Sequence, residues 1–262
     1  LYSRFFMRAI KLNNNKIKIK EPFKGLFTQG MVCHETYKDK NGNWMSPEDI
    51  KKINKSEIIV GPPEAMSKSK KNVIDPEGMI DIYGADAIRW FMLSDSPPDR
   101  DIQWSNEGVS SAHKFIQKIW QINQKILKRK DVEKSLKDEN IFSAKVNKYL
   151  FKITNLIEKF HLNVAVANFY EIFRLINESI ETKISNKCLK DSQINIMKII
   201  MPFIPHMASE CLIELEGKDF YLYSKWPSIN KSLLEESDVT IVVQINGKKR
   251  GLISVNKDTN EK

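Results

Sequence analysis

Between residues 105 and 216 the apolar side chains fall into five stripes at helical spacing, and this pattern limits the fold more than any other feature. Phe115, Ile119, Ile122 and Ile126 recur every three or four residues, as do Val146, Tyr149, Leu150, Ile153 and Ile157. Val166, Phe169, Ile172, Phe173 and Ile176 form a third series, and Ile196, Ile199 and Ile200 a fourth. A stripe of this period is one face of a helix that must be buried against neighbours. Pro202 and Pro205 interrupt the fourth run, since proline lacks the N–H that a helix interior needs, and a fifth follows from Met207 to Leu215. Residues 105–227 are therefore expected to form an antiparallel helical bundle.

The flanks have a different character. Tyr2, Phe5, Phe6 and Ile10 predict a helix over residues 1–12, and the short apolar, glycine-punctuated stretch 23–33 predicts a buried strand. Residues 38–56 are polar, with a turn at Asn41-Gly42-Asn43 and a helix start at Ser46-Pro47-Glu48-Asp49, and read as a surface insertion. Residues 61–78 read as a basic loop bounded by glycine and proline. A helix carrying Asp86, Ile88, Trp90, Phe91 and Leu93 should start near Gly84 and stop before Pro97-Pro98. Beyond Trp226-Pro227, the alternating segments Thr240–Ile245 and Leu252–Val255 flank Asn246-Gly247, a strong hairpin signal. A lone hairpin is marginal in water, so residues 238–262 are expected to be the start of a small α+β domain. The fold class is thus α/β plus all-α: a first part, 1–104, then the bundle, then the hairpin.

Charge and cysteine usage narrow the class. Lys and Arg number 42 against 33 acidic residues, a net charge of +9. That excess suits a polyanionic partner, because each neutralised phosphate releases counterions, and it equally suits a lysine-rich solvated surface. Cys33, Cys188 and Cys211 stand far apart with no zinc-ligand spacing, which argues against a disulfide framework or a metal site and for a reducing, cytoplasmic compartment. No apolar run reaches the ~18 residues of a membrane helix, and no signal-peptide pattern opens the chain. The first residue is Leu1, inside an amphipathic run, so a longer natural chain is expected.

Chemistry concentrates in Pro63-Glu64-Ala65-Met66-Ser67-Lys68-Ser69-Lys70-Lys71-Asn72, where small hydroxyl residues alternate with lysines. Such a loop can present ammonium groups and O–H donors to one polyphosphate, and a lysine fixed there stabilises charge building up on phosphate oxygens. Charge alone is satisfied by an exposed basic loop. Residue order says more. Met66-Ser67-Lys68-Ser69-Lys70 resembles the Lys-Met-Ser-Lys-Ser signature of class I aminoacyl-tRNA synthetases. In the large aliphatic-amino-acid branch of that family an Asn, an Asp-Pro turn and a Tyr-Gly-Ala-Asp segment with an Arg-bearing helix follow. Here they are Asn72, Asp75-Pro76 and Tyr83-Gly84-Ala85-Asp86-Ala87-Ile88-Arg89. Leu1-Tyr2-Ser3-Arg4-Phe5-Phe6, Gln29-Gly30-Met31-Val32, Gly108-Val109, Pro202-Phe203-Ile204-Pro205-His206 and Val242-Val243-Gln244-Ile245-Asn246-Gly247-Lys248 resemble the leucine members.

The resemblance implies the C-terminal part of a Rossmann-type catalytic core with a stem-contact region over 1–104, and an anticodon-binding-type bundle after it. It implies ATP with Mg2+, leucine and tRNA(Leu) as the complete enzyme's substrates and partners, no membrane partner and a monomeric state. Ala65, Met66, Ser67, Lys68 and Ser69 would form the signature loop. The first signature lysine is replaced by Ala65, so Lys68, aligned with the family's main phosphate contact, is the catalytic candidate, with Lys70 or Lys71 placed to supply part of the missing charge. The family's His-Ile-Gly-His half-site has no counterpart: none of His34, His113, His161 and His206 is three residues from another. The isolated chain is therefore not expected to form leucyl-adenylate. His34 and His206 read as structural, and Trp90, Phe91, Phe115, Trp120, Phe169, Tyr170 and Phe173 as core.

For tRNA, Lys114 and Lys118 stand one helical turn apart and can face one strip of backbone. Lys248, Lys249 and Arg250 follow the hairpin turn and are further candidates, while Arg89 could either touch RNA or hold the loop-to-helix junction by an ion pair. The valine, isoleucine or methionine members remain close alternatives. A non-catalytic tRNA-binding helical module would explain the basic bundle but has no use for the Ser/Lys loop.

Overall fold

The computed structural model describes residues 1–53, 55–217, 225–234 and 238–256. Helix α1 (Tyr2–Asn13) buries none of its residues, and the segment after it runs without regular structure to strand β1 (Val32–Lys38). The strand expected over 23–33 therefore forms only at its end. The reason is visible at Gly30, whose N–H donates to Pro98 O at 2.9 Å, and at Met31, whose N–H donates to Asp101 Oδ1 at 2.8 Å. From Val32 onward β1 gains ladder partners; before it, Phe23, Leu26 and Phe27 stay exposed, with Phe27 stacked on Phe160 at 4.9 Å.

β1 is central in a small sheet. β3 (Ile59–Ala65) lies antiparallel along one edge, and β2 (Trp44–Met45) pairs antiparallel with its far end. β4 (Ile102–Gln103) pairs parallel with Val32 and Cys33. The insertion is a turn at Asp39–Asn43 with Gly42 at φ +85°, then a reciprocal cap: Ser46 N donates to Asp49 Oδ2 at 3.1 Å and Asp49 N to Ser46 Oγ at 3.2 Å.

Two local expectations are corrected here. Residues 61–65 belong to β3 rather than to a loop, although Pro62 and Pro63 cannot donate to a ladder. They are tolerated because Thr36 pairs with Gly61 and His34 with Glu64, so both prolines oppose Glu35 in a bulge. Asp75-Pro76 is not a turn but a helix start: Pro76 opens α2 (Pro76–Tyr83), and the Asp75 carboxylate accepts the N–H of Glu77 at 3.1 Å.

Gly84, at φ +80°, breaks the chain into α3 (Ala85–Ser94), and five longer helices follow: α4 (Asn106–Lys128), α5 (Leu136–Glu158), α6 (Leu162–Ser179), α7 (Asn186–Ile200) and α8 (Pro205–Glu216). Ser105, Ser135 and Ser185 cap α4, α5 and α7 with their hydroxyls. One hydrophobic core runs from α3 through α8. At its centre the fully buried Trp90 lies 5.1 Å from the Phe115 ring, 5.9 Å from Phe169 and 6.1 Å from Phe203, and donates its N–H to Tyr170 Oη at 3.0 Å. The predicted core aromatics hold these places, except that Trp120 is half-buried and Tyr170 keeps its ring partly in solvent.

After α8, Trp226 donates to Thr154 Oγ1 at 3.0 Å, and the Asn147 amide exchanges two hydrogen bonds with the backbone of Asn230, so residues 225–234 lie along α5. β5 (Asp238–Ile245) and β6 (Lys248–Asn256) form the expected hairpin, with Asn246 at φ +52° and Gly247 at φ +74°, the pair of positive values a primed turn needs. The end of the expected 238–262 unit, residues 257–262, lies outside the described residues.

Candidate functional site

The Ser/Lys segment leaves the sheet at Ala65, which pairs with Cys33, and Met66 N donates to Val32 O at 2.9 Å. The chain then reverses in a tight turn. Ser67 and Ser69 hydroxyls face each other at 3.2 Å, Lys70 N donates to Ser67 Oγ at 3.3 Å, and Lys71 N donates to Lys68 O at 3.3 Å. Lys71 closes the turn at φ +53°, a left-handed value that costs a branched or bulky residue more than a flexible one.

The turn is anchored from within. Asn72 is fully buried, and its amide uses both donors and its oxygen: Nδ2 donates to His34 O at 3.2 Å and to Glu64 O at 3.1 Å, while Oδ1 accepts from Ser67 N at 2.9 Å. The amide thus joins β1, β3 and the start of the turn. The resemblance marks this Asn by its place after the signature but not its partners, which come from β1, β3 and the turn itself.

The cations of the turn are not equivalent. Lys70 Nζ is ion-paired with Glu64 Oε2, so the charge it would lend in place of the signature's first lysine is partly cancelled. Among the described residues the Lys68 ammonium has no partner and stands exposed at the crest. Ser67 and Met66 are half-buried, Ser69 and Ala65 exposed. Beside the turn, burial first and the charge of Asp101 second hold the Cys33 thiol above its ordinary 9.0, leaving it protonated and a poor nucleophile. The His34 ring faces Glu35 O at 3.0 Å and the Tyr37 ring edge-on at 5.9 Å, a packing position.

The helix that begins at Ala85 serves the junction with the bundle. Asp86 of α3 is buried, and its carboxylate accepts the N–H of Met207 at 2.7 Å and of His206 at 3.4 Å, capping α8 from outside. Arg89 donates to Pro202 O at 2.6 Å and Phe203 O at 3.1 Å. The expected ion pair at the loop-to-helix junction is not what Arg89 makes among the described residues: its guanidinium holds backbone carbonyls between α7 and α8 instead. The His206 ring is largely exposed, with its Nδ1 3.9 Å from Asp86 Oδ1, while the hydrogen bond to that carboxylate comes from the backbone N–H.

Lys114 and Lys118 are both exposed on α4, one turn apart. The same helix is fixed to α2 by His113, whose Nδ1 lies 2.8 Å from Tyr83 O while Gln117 Nε2 lies 2.8 Å from its Nε2, an arrangement satisfied by the neutral ring with its proton on Nδ1. In the hairpin, Lys248 pairs with Ile245 and Lys249 with Gln244, and the register shift before Gly251 leaves Arg250 as an extra residue. All three side chains are exposed. Lys114 and Lys118 are not brought to the turn by any contact with it. Among the described residues no group of three or more His, Cys, Asp and Glu is placed to hold a metal ion, and no helix is long and apolar enough to cross a membrane.

A pinned Ser/Lys turn on a small sheet, followed by a capped helix that docks into an antiparallel helical bundle, is the arrangement of a class I aminoacyl-tRNA synthetase. Two family models agree: residues 61–105 match tRNA synthetases class I (I, L, M and V), and residues 139–262 match the anticodon-binding domain of tRNA ligase. The chain belongs to this family, and within it to the leucine branch. It is 41% identical over 266 residues to a leucine--tRNA ligase of Ehrlichia chaffeensis, covering 100% of this chain and 32% of that protein. It is 40% identical over 276 residues to that of Bartonella bacilliformis, covering 97% and 31%. The fold matches the synthetase chain of a ternary LeuRS-tRNA-LeuAMS complex from Agrobacterium radiobacter K84 with a TM-score of 0.71 at 23% identity, over 99% of this chain and 30% of that one. The chain therefore spans about a third of the length of the curated relatives it matches.

Proposed function

We propose that this chain supplies the signature-loop part of the active site and the tRNA-docking bundle of a leucine--tRNA ligase. The complete enzyme would use ATP with Mg2+ to form leucyl-adenylate and pass leucine to tRNA(Leu), working in the cytoplasm as a monomer. The observation that carries this reading is the exposed Lys68 ammonium, without a partner among the described residues, at the crest of a turn whose base is pinned to the sheet. An ATP triphosphate lying against that crest would meet one full positive charge and the hydroxyls of Ser67 and Ser69. As the bond between the α- and β-phosphates breaks, negative charge gathers on the departing pyrophosphate, and a cation already in place lowers the barrier without reorganisation. Ala65 brings no charge to this step, and Lys70 brings one tied to Glu64.

Lys114 and Lys118 would hold tRNA backbone, with Lys248, Lys249 and Arg250 as further phosphate contacts. Contacts of this kind set register rather than read bases. The test is leucine-dependent ATP–pyrophosphate exchange by the chain fused to the upstream two-thirds of one of its leucine--tRNA ligase relatives. The fusion should exchange with leucine, and the chain by itself should not. A fusion that binds tRNA but exchanges with no amino acid would favour a non-catalytic tRNA-binding module; exchange with valine, isoleucine or methionine in place of leucine would move the assignment within the branch.

A further inference from the structure

The geometry points to Asn72 as the residue that positions Lys68, a role that rests on the reading of the turn as the ATP-facing loop. Its amide is fully buried and spends every hydrogen-bonding group except one oxygen lone pair. Two of its bonds end on carbonyls of paired residues, His34 of β1 and Glu64 of β3, and the third reaches back across the turn to Ser67 N. The four residues between Ser67 and Asn72 are thereby held as a closed loop on a sheet, with Lys68 and Ser69 facing solvent. An unpinned segment with two serines and three lysines would sample many backbone states. The ammonium would then meet a triphosphate in the correct place only a fraction of the time, and apparent affinity falls by that fraction. Asn72 touches no reacting atom; it is a positioning residue that makes the exposed lysine a defined one. No smaller or charged side chain reproduces the set of bonds. Ala removes the donor to two carbonyls and the acceptor of one N–H, and Asp turns a donor to two carbonyls into a carboxylate that repels them.

The first test needs no substitution. In the unsubstituted chain the Ser67 amide should exchange its hydrogen about 100-fold more slowly than the amides of Lys68 and Ser69, which lie in the same turn. Equal rates overturn the pin. The second uses the fused enzyme. Asn72→Ala and Asn72→Asp should each raise the KM for ATP in pyrophosphate exchange about tenfold with the KM for leucine unchanged, and trypsin should cut the Lys68–Ser69 bond about tenfold faster. A variant that was merely less stable would lower the active fraction, and so kcat, and leave both KM values where they were; that result overturns the positioning role. Loss of exchange in Lys68→Ala with an unmoved ATP KM in the Asn72 variants rejects Asn72 and keeps the loop assignment. Full exchange by Lys68→Ala rejects both.

Discussion

Asp86 and Met207 are 121 residues apart in sequence, yet the Asp86 carboxylate accepts the Met207 N–H at 2.7 Å and so begins a helix to which it does not belong. The residue at the ordinary cap position of α8, Ile204, has no side-chain acceptor to offer. Unpaired N–H groups at a helix start are satisfied by whatever acceptor is near, and here the acceptor comes from α3. With Arg89 on the carbonyls of Pro202 and Phe203, the segment that follows the Ser/Lys turn grips both sides of the α7–α8 elbow.

Removing that grip should loosen the junction. Asp86→Ala takes away an N-cap, a change of ~1–2 kcal/mol, and leaves the N–H groups of His206 and Met207 facing a buried void. Asp86→Asn keeps one acceptor and should lose less. Urea unfolding followed by tryptophan fluorescence measures both, since Trp90 lies in the same core; equal stability of Asp86→Ala and the parent would show that the cap carries no energy.

Gly30 is predicted to resist any substitution. A Cβ there would lie 2.0 Å from Arg100 O and 2.6 Å from Asp101 N, backbone atoms immediately before β4 that cannot swing away as the end of a side chain could. Overpacking of this kind costs ~1–3 kcal/mol, and Gly30→Ala should sit at the upper end. Calorimetric unfolding that leaves Gly30→Ala as stable as the parent would count against the close approach.

Lys68→Ala in the fused enzyme should slow leucine-dependent pyrophosphate exchange ~100-fold, the scale of losing one electrostatic donor. Lys70→Ala should cost far less, because Glu64 already holds that ammonium. Equal losses in the two variants would mean that the ion pair opens during catalysis.

The paired α4 lysines are checked by salt. If Lys114 and Lys118 each meet a tRNA phosphate, Lys114→Gln with Lys118→Gln should weaken binding. The slope of log affinity against log salt should also fall, by about one for each phosphate no longer neutralised. An unchanged slope removes them from the interface.

Acid should open the link between α5 and α7. Glu139 of α5 accepts the Ser185 N–H at 2.8 Å, and hydrogen bonds from Ser185, side chain first and backbone second, hold the Glu139 carboxyl below its ordinary 4.5. A carboxyl depressed in the folded state binds protons more readily when unfolded. Its contribution is therefore complete above pH 4.5 and is lost as pH falls through the lower folded value. Glu139→Gln should flatten the fall in stability below pH 4.5, measured by denaturant unfolding across a pH series. A parallel fall in parent and variant would assign the acid sensitivity to other groups.

The bundle helices and the hairpin turn were legible because their causes lie within a few residues: apolar period, and Asn-Gly at positive φ. The residues of the Ser/Lys turn were legible in the same way, as a local order of side chains. Their arrangement was not. Asn72, Asp86 and Arg89 carry ordinary polar side chains, and nothing near them in sequence says which groups they will satisfy. The stretch 23–31 shows the converse: it has the composition of a strand, but a strand exists only where another chain segment offers a ladder, and β3 and β4 meet β1 from Val32 onward. Sequence alone determined which segments must bury a face and which residues could carry charge to a phosphate. The tertiary structure decided which buried amide pins the turn and which carboxylate caps the bundle, because a hydrogen bond is fixed by the distance between its partners in space and not by their separation along the chain.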